Sequence, residues 1–504
     1  MRATAPGASD ISALIAALAQ FQPGRAALVD DRGALATGEL LAAVAATSHG
    51  LERSGAQRCA LLADNGRAWA IADLALAEAA CVNVPLPHHF GDEQLCHALD
   101  SAGVESALTD TPERLLALDA GFAPAAQAPY PGLVLLRRRQ VDPPPLPPGT
   151  TKVTYTSGST AEPKGVCLAA GTLEAVARSV AAVATGLGID RHLALLPLAT
   201  LLENVAGLYA AWFAGATCLL PSAVPGAIAR GTLEPPQLLA GLARHQPQSL
   251  ILVPELLRIL VAGAEAGWTP PTDGRFFAVG GARVSTQLLE RAAAAGLPVF
   301  EGYGLSECGS VICLNTPQAR RRGSVGQPLP HARLGVDARG EIQVGGSLMA
   351  GYVGAAAPGG ATIATGDLGE IDADGFVYVR GRIKNLFINS FGRNLSPEWI
   401  ESELAQETAI GQVVVFGEAR AQVVALVTPS GPGETPQAVA AGVARANERL
   451  PPYARVARFH CVTERFTIGN GLLTGNGRPR REAILCRYAP EIEDLYQETE
   501  HDFS

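Results

Sequence analysis

The chain has 504 residues, of which 48% are apolar and 17% charged. This balance is typical of a globular protein rather than a disordered one, and the length predicts two or more domains. A formal net charge of −9 argues against a nucleic-acid-binding surface, although a local loop can still bind an anion in an acidic protein.

The first part of the chain alternates short apolar runs with Ala- and Leu-rich segments. Residues 26–30, 59–63 and 105–109 are predicted as strands, and residues 69–80 as a helix. Such alternation is typical of βαβ units built on a parallel sheet. A proline-rich segment, residues 141–149, is predicted to be a stiff connector to the loop that follows it.

The loop after this connector is rich in groups that bind phosphate. Each anionic oxygen of a polyphosphate needs several donors, which hydroxyls, backbone N–H groups and a lysine can supply. The candidate phosphate-binding residues are Thr156, Ser157, Gly158, Ser159, Thr160 and Lys164. The loop does not match the Walker pattern. From the residues alone, a polar surface turn remains the alternative.

Two later segments carry further candidate groups. Residues 279–283, Val-Gly-Gly-Ala-Arg, precede a predicted helix, 285–295, and their Gly-Gly turn would let a flat ring approach the backbone closely. Residues 299–307 place Tyr303 between two glycines and end in Glu307, a carboxylate of the kind that a hard cation prefers. A tight turn and a core tyrosine are the alternatives that these residues leave open on their own.

Together, these segments resemble the acyl-adenylate-forming, or AMP-binding, superfamily, and most of all its long- and medium-chain fatty acyl-CoA synthetases. Residues 154–166 are similar to the phosphate loop of that superfamily, except that Ala161 stands where a third glycine is usual. Residues 299–307 are similar to its second strong motif. The resemblance covers about residues 26–483, which is effectively the whole chain.

The resemblance implies how these motifs would bind ATP and Mg²⁺. Tyr303 would stack on adenine, Ser306 would contact the α-phosphate, and Glu307 would bind Mg²⁺ together with Thr156. Asp367, in a Thr-Gly-Asp sequence, would accept hydrogen bonds from both ribose hydroxyls, as a fixed carboxylate can. The other candidate nucleotide-binding residues are Gly281, Ala282, Arg283, Glu301, Gly302, Gly304, Leu305, Arg382 and Lys384.

A further segment, residues 196–204, resembles the fourth core motif of the fatty-acid members. Those enzymes usually carry a histidine where this chain has Thr200, followed three residues later by a glutamate, which Glu203 matches. The predicted helix 205–214 would then line the acyl tunnel. Without the resemblance, Glu203 would be a carboxylate near the start of a helix.

The resemblance also implies two domains joined by a hinge at residues 381–385. The predicted domains are residues 1–381, which bind AMP and the acyl group, and residues 382–504, a small mobile lobe. Arg382 would hold the ribose or a phosphate, and Lys384 would be the pivot of the hinge.

In the small lobe, Ser396 and Pro397 predict the N-cap and the first residue of a helix. Arg478 stands where the superfamily carries its catalytic lysine, which bridges the substrate carboxylate and the α-phosphate. Arginine keeps the charge but brings a planar, bidentate head, so the exchange is not conservative. Arg480 is the alternative if the alignment is shifted.

The nine cysteines are odd in number and form no Cys-x-x-Cys pair, which predicts neither a disulfide framework nor a zinc site. The most apolar windows, around residues 68–84, are interrupted by Asp73 and Glu78, and residues 1–6 lead into no signal-peptide core. We therefore expect a cytoplasmic protein without a transmembrane segment.

The predicted fold is α/β, with a large multi-subdomain N-terminal region and a small mobile α+β C-terminal lobe. The predicted function is ATP-dependent activation of a carboxylic acid, expected to be a fatty acid, to an acyl-adenylate, followed by transfer to coenzyme A. The predicted catalytic residues are Lys164, Glu307 and Arg478. Three alternatives remain open: transfer to the phosphopantetheine of an acyl carrier protein, another adenylate chemistry, and an adenylate-binding protein with impaired catalysis.

Overall fold

The structure is a computed structural model, and it describes residues 12–118, 120–125, 132–139, 142–156, 163–355, 360–390, 394–431, 433–467, 469–473 and 478–500. Strands and helices are numbered in chain order. None of the helices in these ranges combines the length and the apolar character that crossing a bilayer requires.

The large N-terminal region contains a nine-stranded, mostly parallel sheet. From one edge to the other, its strands are β16 Gln327–Pro328, β15 Ser310–Leu314, β14 Val299–Leu305, β13 Phe276–Val279, β12 Ser249–Leu252, β10 Arg191–Leu193, β11 Thr217–Leu220, β1 Ala26–Asp30 and β2 Gly33–Ala36. Every residue of β12 is buried, as expected of a strand that is covered on both faces. Because β12, β13 and β14 pair in parallel, their carboxyl ends meet at one edge of the sheet.

A second, eight-stranded sheet carries the flanks of the phosphate loop. Its strands are, in spatial order, β19 Gly351–Tyr352, β9 Lys164–Ala169, β8 Thr150–Thr156, β4 Val82–Pro85, β3 Arg58–Leu62, β5 Ser106–Thr109, β7 Val134–Arg138 and β6 Phe122–Pro124. Strands β8 and β9 form an antiparallel pair, and β19 adds to the free edge of β9. This edge therefore places Tyr352 next to the strand that begins at Lys164.

Three smaller sheets complete the strands of the described residues. A four-stranded antiparallel sheet leads to the hinge and contains β17 Ala332–Val336, β18 Glu341–Gly346, β20 Thr362–Ile371 and β21 Val377–Arg382. The small lobe contains a β-ribbon, β22 Phe387–Ile388 with β23 Asn394–Leu395, and the sheet β24 Ile410–Phe416, β25 Val423–Pro429 and β26 Val456–Cys461.

The helices cover these sheets and are started by ordinary local signals. The α-helices are α1 Ser12–Ala19, α2 Thr37–Ser54, α3 Arg67–Glu78, α4 Asp92–Ser101, α5 Pro112–Ala117, α6 Ala170–Gly186, α7 Ala210–Phe213, α8 Ala223–Arg230, α9 Pro235–His245, α10 Pro254–Glu265, α11 Thr286–Ala294, α12 Pro397–Leu404, α13 Pro436–Arg449, α14 Arg481–Arg487 and α15 Ala489–Glu500. A π-helix, Leu202–Tyr209, leads into α7, and 3₁₀ turns span Ser306–Cys308, Ile383–Asn385 and Pro452–Ala454. Ser285 and Thr435 cap α11 and α13 by accepting a backbone N–H.

A buried polar network fastens the π-helix to the rest of the large region. Lys152 Nζ on β8 lies 2.7 Å from Asp73 Oδ1 on α3, while the Tyr209 hydroxyl donates to Asp73 Oδ2 at 2.5 Å. Asn204 Nδ2 donates to the same carboxylate at 3.0 Å. A buried charge is tolerated when it is paired and hydrogen-bonded in this way, so the network holds the π-helix in one place.

The small lobe has a hydrophobic core of its own, which includes Ile400, Leu404, Val415, Val427 and Val443. The domain boundary at residue 381 falls in the last residues of β21 and stays a prediction.

Most predicted elements of the first part are present. The predicted strands 26–30, 59–63 and 105–109 and the predicted helix 69–80 correspond to β1, β3, β5 and α3, with ends that differ by up to two residues. The predicted helix 205–214 differs, because the chain turns at residue 202 into a π-helix before the short α7.

The predicted start of α12 is confirmed, because Ser396 occupies the N-cap position and Pro397 is the first helical residue. The hydroxyl of Ser396 does not accept a backbone N–H and instead donates to Glu398 Oε2 at 3.1 Å. The carboxylate two residues later thus competes for this hydroxyl.

Candidate active site

A cavity of about 3670 Å³ lies between the large region and the small lobe. The large region lines it with the carboxyl ends of β12, β13 and β14, and the small lobe with Glu398 and Arg478. The candidate site residues in its lining are Thr156, Lys164, Gly281, Ala282, Arg283, Glu301, Gly302, Tyr303, Gly304, Leu305, Ser306, Glu307, Asp367, Arg382, Lys384 and Arg478. Groups separated by more than 300 residues in sequence therefore face one space.

The remaining candidates, Ser157, Gly158, Ser159 and Thr160, lie outside the described residues. The strands on either side are described, and their pairing places Thr156 opposite Lys164. The Thr156 hydroxyl donates to the carbonyl oxygen of Lys164 at 3.5 Å.

Asp367, the candidate ribose-binding residue, is held from two sides. The Tyr303 hydroxyl donates to Asp367 Oδ2 at 2.6 Å, and Arg382 Nε donates to Asp367 Oδ1 at 3.1 Å. Burial, together with the neighbouring carboxylate, raises the pKa of Tyr303 far above its usual range, so the tyrosine stays a donor. The candidate adenine, ribose and hinge residues thus form one hydrogen-bonded cluster.

The position of Tyr303 depends on a close approach of β14 to β15. A Cβ atom on Gly304 would collide with the carbonyl oxygen of Ser310. Glycine is therefore required at residue 304 for the two strands to pair, and the chain then turns into the 3₁₀ turn that carries Ser306 and Glu307.

Glu307, the candidate magnesium ligand, contacts a residue of β19. The Tyr352 hydroxyl donates to Glu307 Oε1 at 2.9 Å, and Lys164 Nζ lies 5.7 Å from the centre of the Tyr352 ring. Among the described residues, no hydrogen bond is donated to Glu307 Oε2. One available carboxylate oxygen suits Mg²⁺, which is usually held by one or two carboxylates and the substrate phosphates.

The Gly-Gly turn after β13 is tied to the strand that enters the hinge. Arg283 Nη1 donates to the carbonyl oxygen of Arg380 at 3.1 Å and to that of Val379 at 3.4 Å. Burial raises the pKa of Glu301, which lies on β14, to about 8, and the nearby Arg283 guanidinium opposes this rise. Glu301 therefore holds its proton at pH values where a surface glutamate is ionised.

Arg478 reaches from the small lobe into the large region. Its guanidinium donates to the carbonyl oxygen of Gly281, in the Gly-Gly turn. Burial and the nearby Arg382 lower the pKa of Arg478, while Asp367 acts in the opposite direction. Arg480 instead donates at 3.3 Å to the carbonyl oxygen of Gly471, within its own lobe.

The predicted hinge contains the 3₁₀ turn Ile383–Asn385, in which Lys384 is exposed. Asn385 Nδ2 donates to a carboxylate oxygen of Glu398 in the small lobe. The hinge segment thus contacts the lobe immediately after it leaves β21.

Sequence reasoning missed Tyr352 as a site residue, although it bridges Glu307 and Lys164. The available signal was an aromatic residue after Gly351, but its relevance depends on the pairing of β19 with β9. It also missed His192 on β10 and Ser249 on β12, two polar residues that line the cavity.

A cavity between two lobes, lined by the held carboxylate of Asp367, a Gly-Gly turn and several cations, has the features expected of a nucleotide-binding site that a second lobe completes. Residues 15–353 match the family model described as AMP-binding enzyme, and residues 385–500 match that of the AMP-binding enzyme C-terminal domain. The chain belongs to the AMP-binding enzyme family.

Individual relatives agree with this assignment. The long-chain-fatty-acid–CoA ligase FadD15 of Mycobacterium bovis is 26% identical, with 85% of this chain and 86% of the relative covered. The feruloyl-CoA synthase of an Amycolatopsis species is 29% identical, with 79% and 84% covered. The solved structure of O-succinylbenzoate coenzyme A synthetase from Bacillus subtilis, in complex with ATP and magnesium ion, is similar in fold, with a TM-score of 0.72, 23% identity and coverage of 93% and 98%.

These findings confirm the predicted family, the predicted class of AMP-binding enzyme and the predicted adenylate-forming fold. The predicted reaction, AMP-forming ligation of a carboxylic acid to a thiol, is the type that the names of the relatives describe. The roles of the individual site residues stay predictions.

Proposed function

We propose that the protein activates a carboxylic acid with ATP and transfers the acyl group to coenzyme A. The carboxylate attacks the α-phosphorus of ATP, the bond to the β-phosphate oxygen breaks, and pyrophosphate leaves. The thiol then attacks the acyl carbon, the acyl–oxygen bond breaks, and AMP leaves with the oxygen that came from the acid. The thiol proton passes to solvent, so both steps balance.

The contact of Arg478 with Gly281 is the observation that carries this proposal. It brings a cation of the small lobe to the same cavity as the Asp367–Tyr303 cluster. Two anions, the carboxylate and the α-phosphate, have to approach each other in the first step, and a fixed cation between them stabilises that approach. Arg478 lies where the small lobe meets the Gly-Gly turn, which supports this role.

The other residues position the nucleotide. Asp367 would accept hydrogen bonds from the ribose hydroxyls. The hydroxyl of Tyr303 would either keep its own hydrogen bond to this carboxylate or be displaced by the ribose. Lys164 and the loop before it would hold the β- and γ-phosphates. Mg²⁺, held by Glu307 and Thr156, would neutralise phosphate charge when bound. Catalysis by such a site is positioning and charge stabilisation, and no covalent enzyme intermediate is needed.

The relatives support a fatty acid or an aryl-substituted propenoic acid as the substrate, because their names give a long-chain fatty acid and ferulate. The acceptor is proposed to be coenzyme A, and a phosphopantetheine-bearing carrier protein is the alternative acceptor. We also propose that the protein works in the cytoplasm, which the burial of six of its nine cysteines as thiols supports.

A release assay tests this proposal. Wild-type protein is incubated with ATP, Mg²⁺ and a panel of carboxylic acids, with coenzyme A, with an acyl carrier protein or with neither. We expect acid-dependent pyrophosphate release, and AMP release that rises with coenzyme A. If AMP is released with the carrier protein but not with coenzyme A, the acceptor is the carrier protein instead. Nucleotide binding without pyrophosphate release would contradict the enzymatic proposal.

A further inference from the structure

The wall that the nine-stranded sheet gives to the cavity carries two polar side chains, His192 and Ser249, here called the polar pair. They stand on β10 and β12 at paired positions of the sheet. His192 Nδ1 and Ser249 Oγ lie 3.0 Å apart, and both residues line the cavity. The lining around them is apolar and includes Ala206, Ala210, Ile251, Phe276 and Ala278.

A buried carboxylate anchors the polar pair. Glu203 is fully buried; its Oε1 lies 3.0 Å from His192 Nε2, and its Oε2 accepts the backbone N–H of Leu196 at 2.9 Å. Both carboxylate oxygens and both imidazole nitrogens are thus engaged. Because a buried charge without partners is costly, Glu203 fixes the imidazole in place. Ser249 is then the member of the pair with hydrogen-bonding capacity to spare.

The π-helix makes room for this arrangement. A Cβ atom on Gly207 would collide with Glu203 Oε1 and would lie 2.8 Å from His192 Nε2. Only glycine therefore fits beside the carboxylate. π-Helical turns are rare and occur frequently at functional sites, and a purely apolar acyl channel would require neither the wide turn nor a buried charge.

Sheet register gives the depth of the polar pair. Ser249 pairs with Phe276, whereas Leu252, three residues later, pairs with Val279, which directly precedes the Gly-Gly turn. Arg478 contacts that turn at Gly281. With a rise of about 3.3 Å per residue, Ser249 lies roughly 10 Å deeper in the sheet than the row at which the turn begins.

We propose that the polar pair binds an oxygen substituent of the acid, so that the preferred substrate carries a hydroxyl group at the depth of Ser249, roughly 10 Å below the row at which the Gly-Gly turn begins. This inference rests on the proposed function. A serine hydroxyl donates one hydrogen bond and accepts two, and within the described part of the chain His192 is the one partner of Ser249 Oγ. A substrate hydroxyl would form a hydrogen bond with Ser249 Oγ in addition to the one that His192 makes. A plain hydrocarbon chain would leave this further hydrogen bond of the serine unformed within an apolar wall.

The test compares straight-chain acids with their ω-hydroxy counterparts over a series of chain lengths. Binding of each acid is measured by calorimetry, and pyrophosphate release is measured in parallel. At the length that reaches Ser249, we expect the wild type to prefer the hydroxy acid by about tenfold, the worth of one net hydrogen bond. Ser249→Ala should bind both members of that pair alike, because the hydroxyl that distinguishes them has lost its partner.

Ser179→Ala is the matched control. Ser179 is as buried as Ser249, at 7% exposure each, but it lies on α6, donates to the carbonyl oxygen of Ala175 and stands apart from the cavity lining of the described residues. Its substitution should leave the preference unchanged.

The outcomes separate this inference from the proposed function. Equal binding of both acids at every length, or a preference that survives in Ser249→Ala, would overturn the role of the polar pair even if pyrophosphate is released. A binding preference that Ser249→Ala abolishes, without pyrophosphate release from any acid, would support the polar pair and contradict the proposed ligase reaction.

Discussion

The hydroxyl of Tyr352 donates a hydrogen bond to Glu307 Oε1 at 2.9 Å, and this contact joins the edge strand β19 to the 3₁₀ turn that carries the candidate metal ligand. The same ring lies 5.7 Å from Lys164 Nζ. Tyr352 therefore orients the carboxylate from the side on which Lys164, the candidate phosphate-binding lysine, stands. A ligand fixed in advance stabilises the transition state more than one that must reorganise.

Glu307→Gln is expected to abolish acyl-adenylate formation, because an amide is a poorer ligand than a carboxylate for Mg²⁺. Acid-dependent exchange between pyrophosphate and ATP measures this step. Tyr352→Phe, which keeps the carboxylate and removes its donor, is the matched variant and should lose far less. Exchange at a near-normal rate in Glu307→Gln would remove Glu307 from the metal site.

Lys384→Pro is expected to leave adenylate formation largely intact and to block thioester formation. Proline fixes φ near −65° and restricts the preceding Ile383, so it resists a backbone rotation at this turn. Lys384→Ala, which removes the side chain without restricting the backbone, should still form the thioester from preformed acyl-adenylate. Each half-reaction is measured separately, the second with preformed acyl-adenylate. Equal loss of both steps in the proline variant would argue that no rotation occurs here.

Arg478→Ala is expected to slow adenylation by at least roughly a hundredfold, comparable to the loss of one preorganised stabilising donor. Thioester formation from preformed acyl-adenylate should change little, because the lobe has then moved. Arg478→Lys should retain or raise activity. Arg480→Ala is the control, since Arg480 donates within its own lobe. If Arg478→Ala adenylates at the normal rate and Arg480→Ala is inactive, the stabilising cation of the adenylation step is Arg480 instead.

The raised pKa of Glu301 predicts that the stability of the protein depends on pH. Burial raises its pKa to about 8 from an ordinary value of 4.5. Below pH 4.5 both the folded and the unfolded chain hold this proton; as the pH rises towards 8, the unfolded chain loses it first, so stability falls. Between pH 5 and pH 8, the free energy of unfolding of wild type should therefore fall relative to that of Glu301→Gln, by ~1 kcal/mol or more. Denaturant unfolding at the two pH values measures this, and parallel pH profiles would show that Glu301 is ionised when folded.

Local sequence patterns were sufficient to predict the elements and motifs that depend only on neighbouring residues. Alternating apolar runs predicted β1, β3 and α3. Tyr303 and Glu307 could both be assigned to the nucleotide site because they belong to one short segment, residues 299–307. The π-helix could not be predicted in this way. Its wide turn depends on Lys152 and Asp73, which hold it from other elements, and no local spacing reports such tertiary contacts.

The partners of the site residues were equally beyond local patterns. Asp367 was predicted as a ribose ligand, but its contact with Tyr303 follows from the folding of two sheets against each other. Glu203 was expected near the start of a helix and lies in the first turn of the π-helix, where it also binds His192 of β10. In both cases the residue was recognisable in sequence, and the group that fixes its geometry was not.

Transfer of heavy oxygen from the acid to AMP tests the central claim most directly. A carboxylic acid labelled with heavy oxygen in its carboxylate is converted in the presence of ATP, Mg²⁺ and coenzyme A, and the released AMP is examined by mass spectrometry. Attack of the carboxylate on the α-phosphorus predicts one heavy oxygen in each AMP, with loss of this product in Arg478→Ala. Unlabelled AMP formed alongside the thioester would contradict an acyl-adenylate intermediate and with it the proposed function.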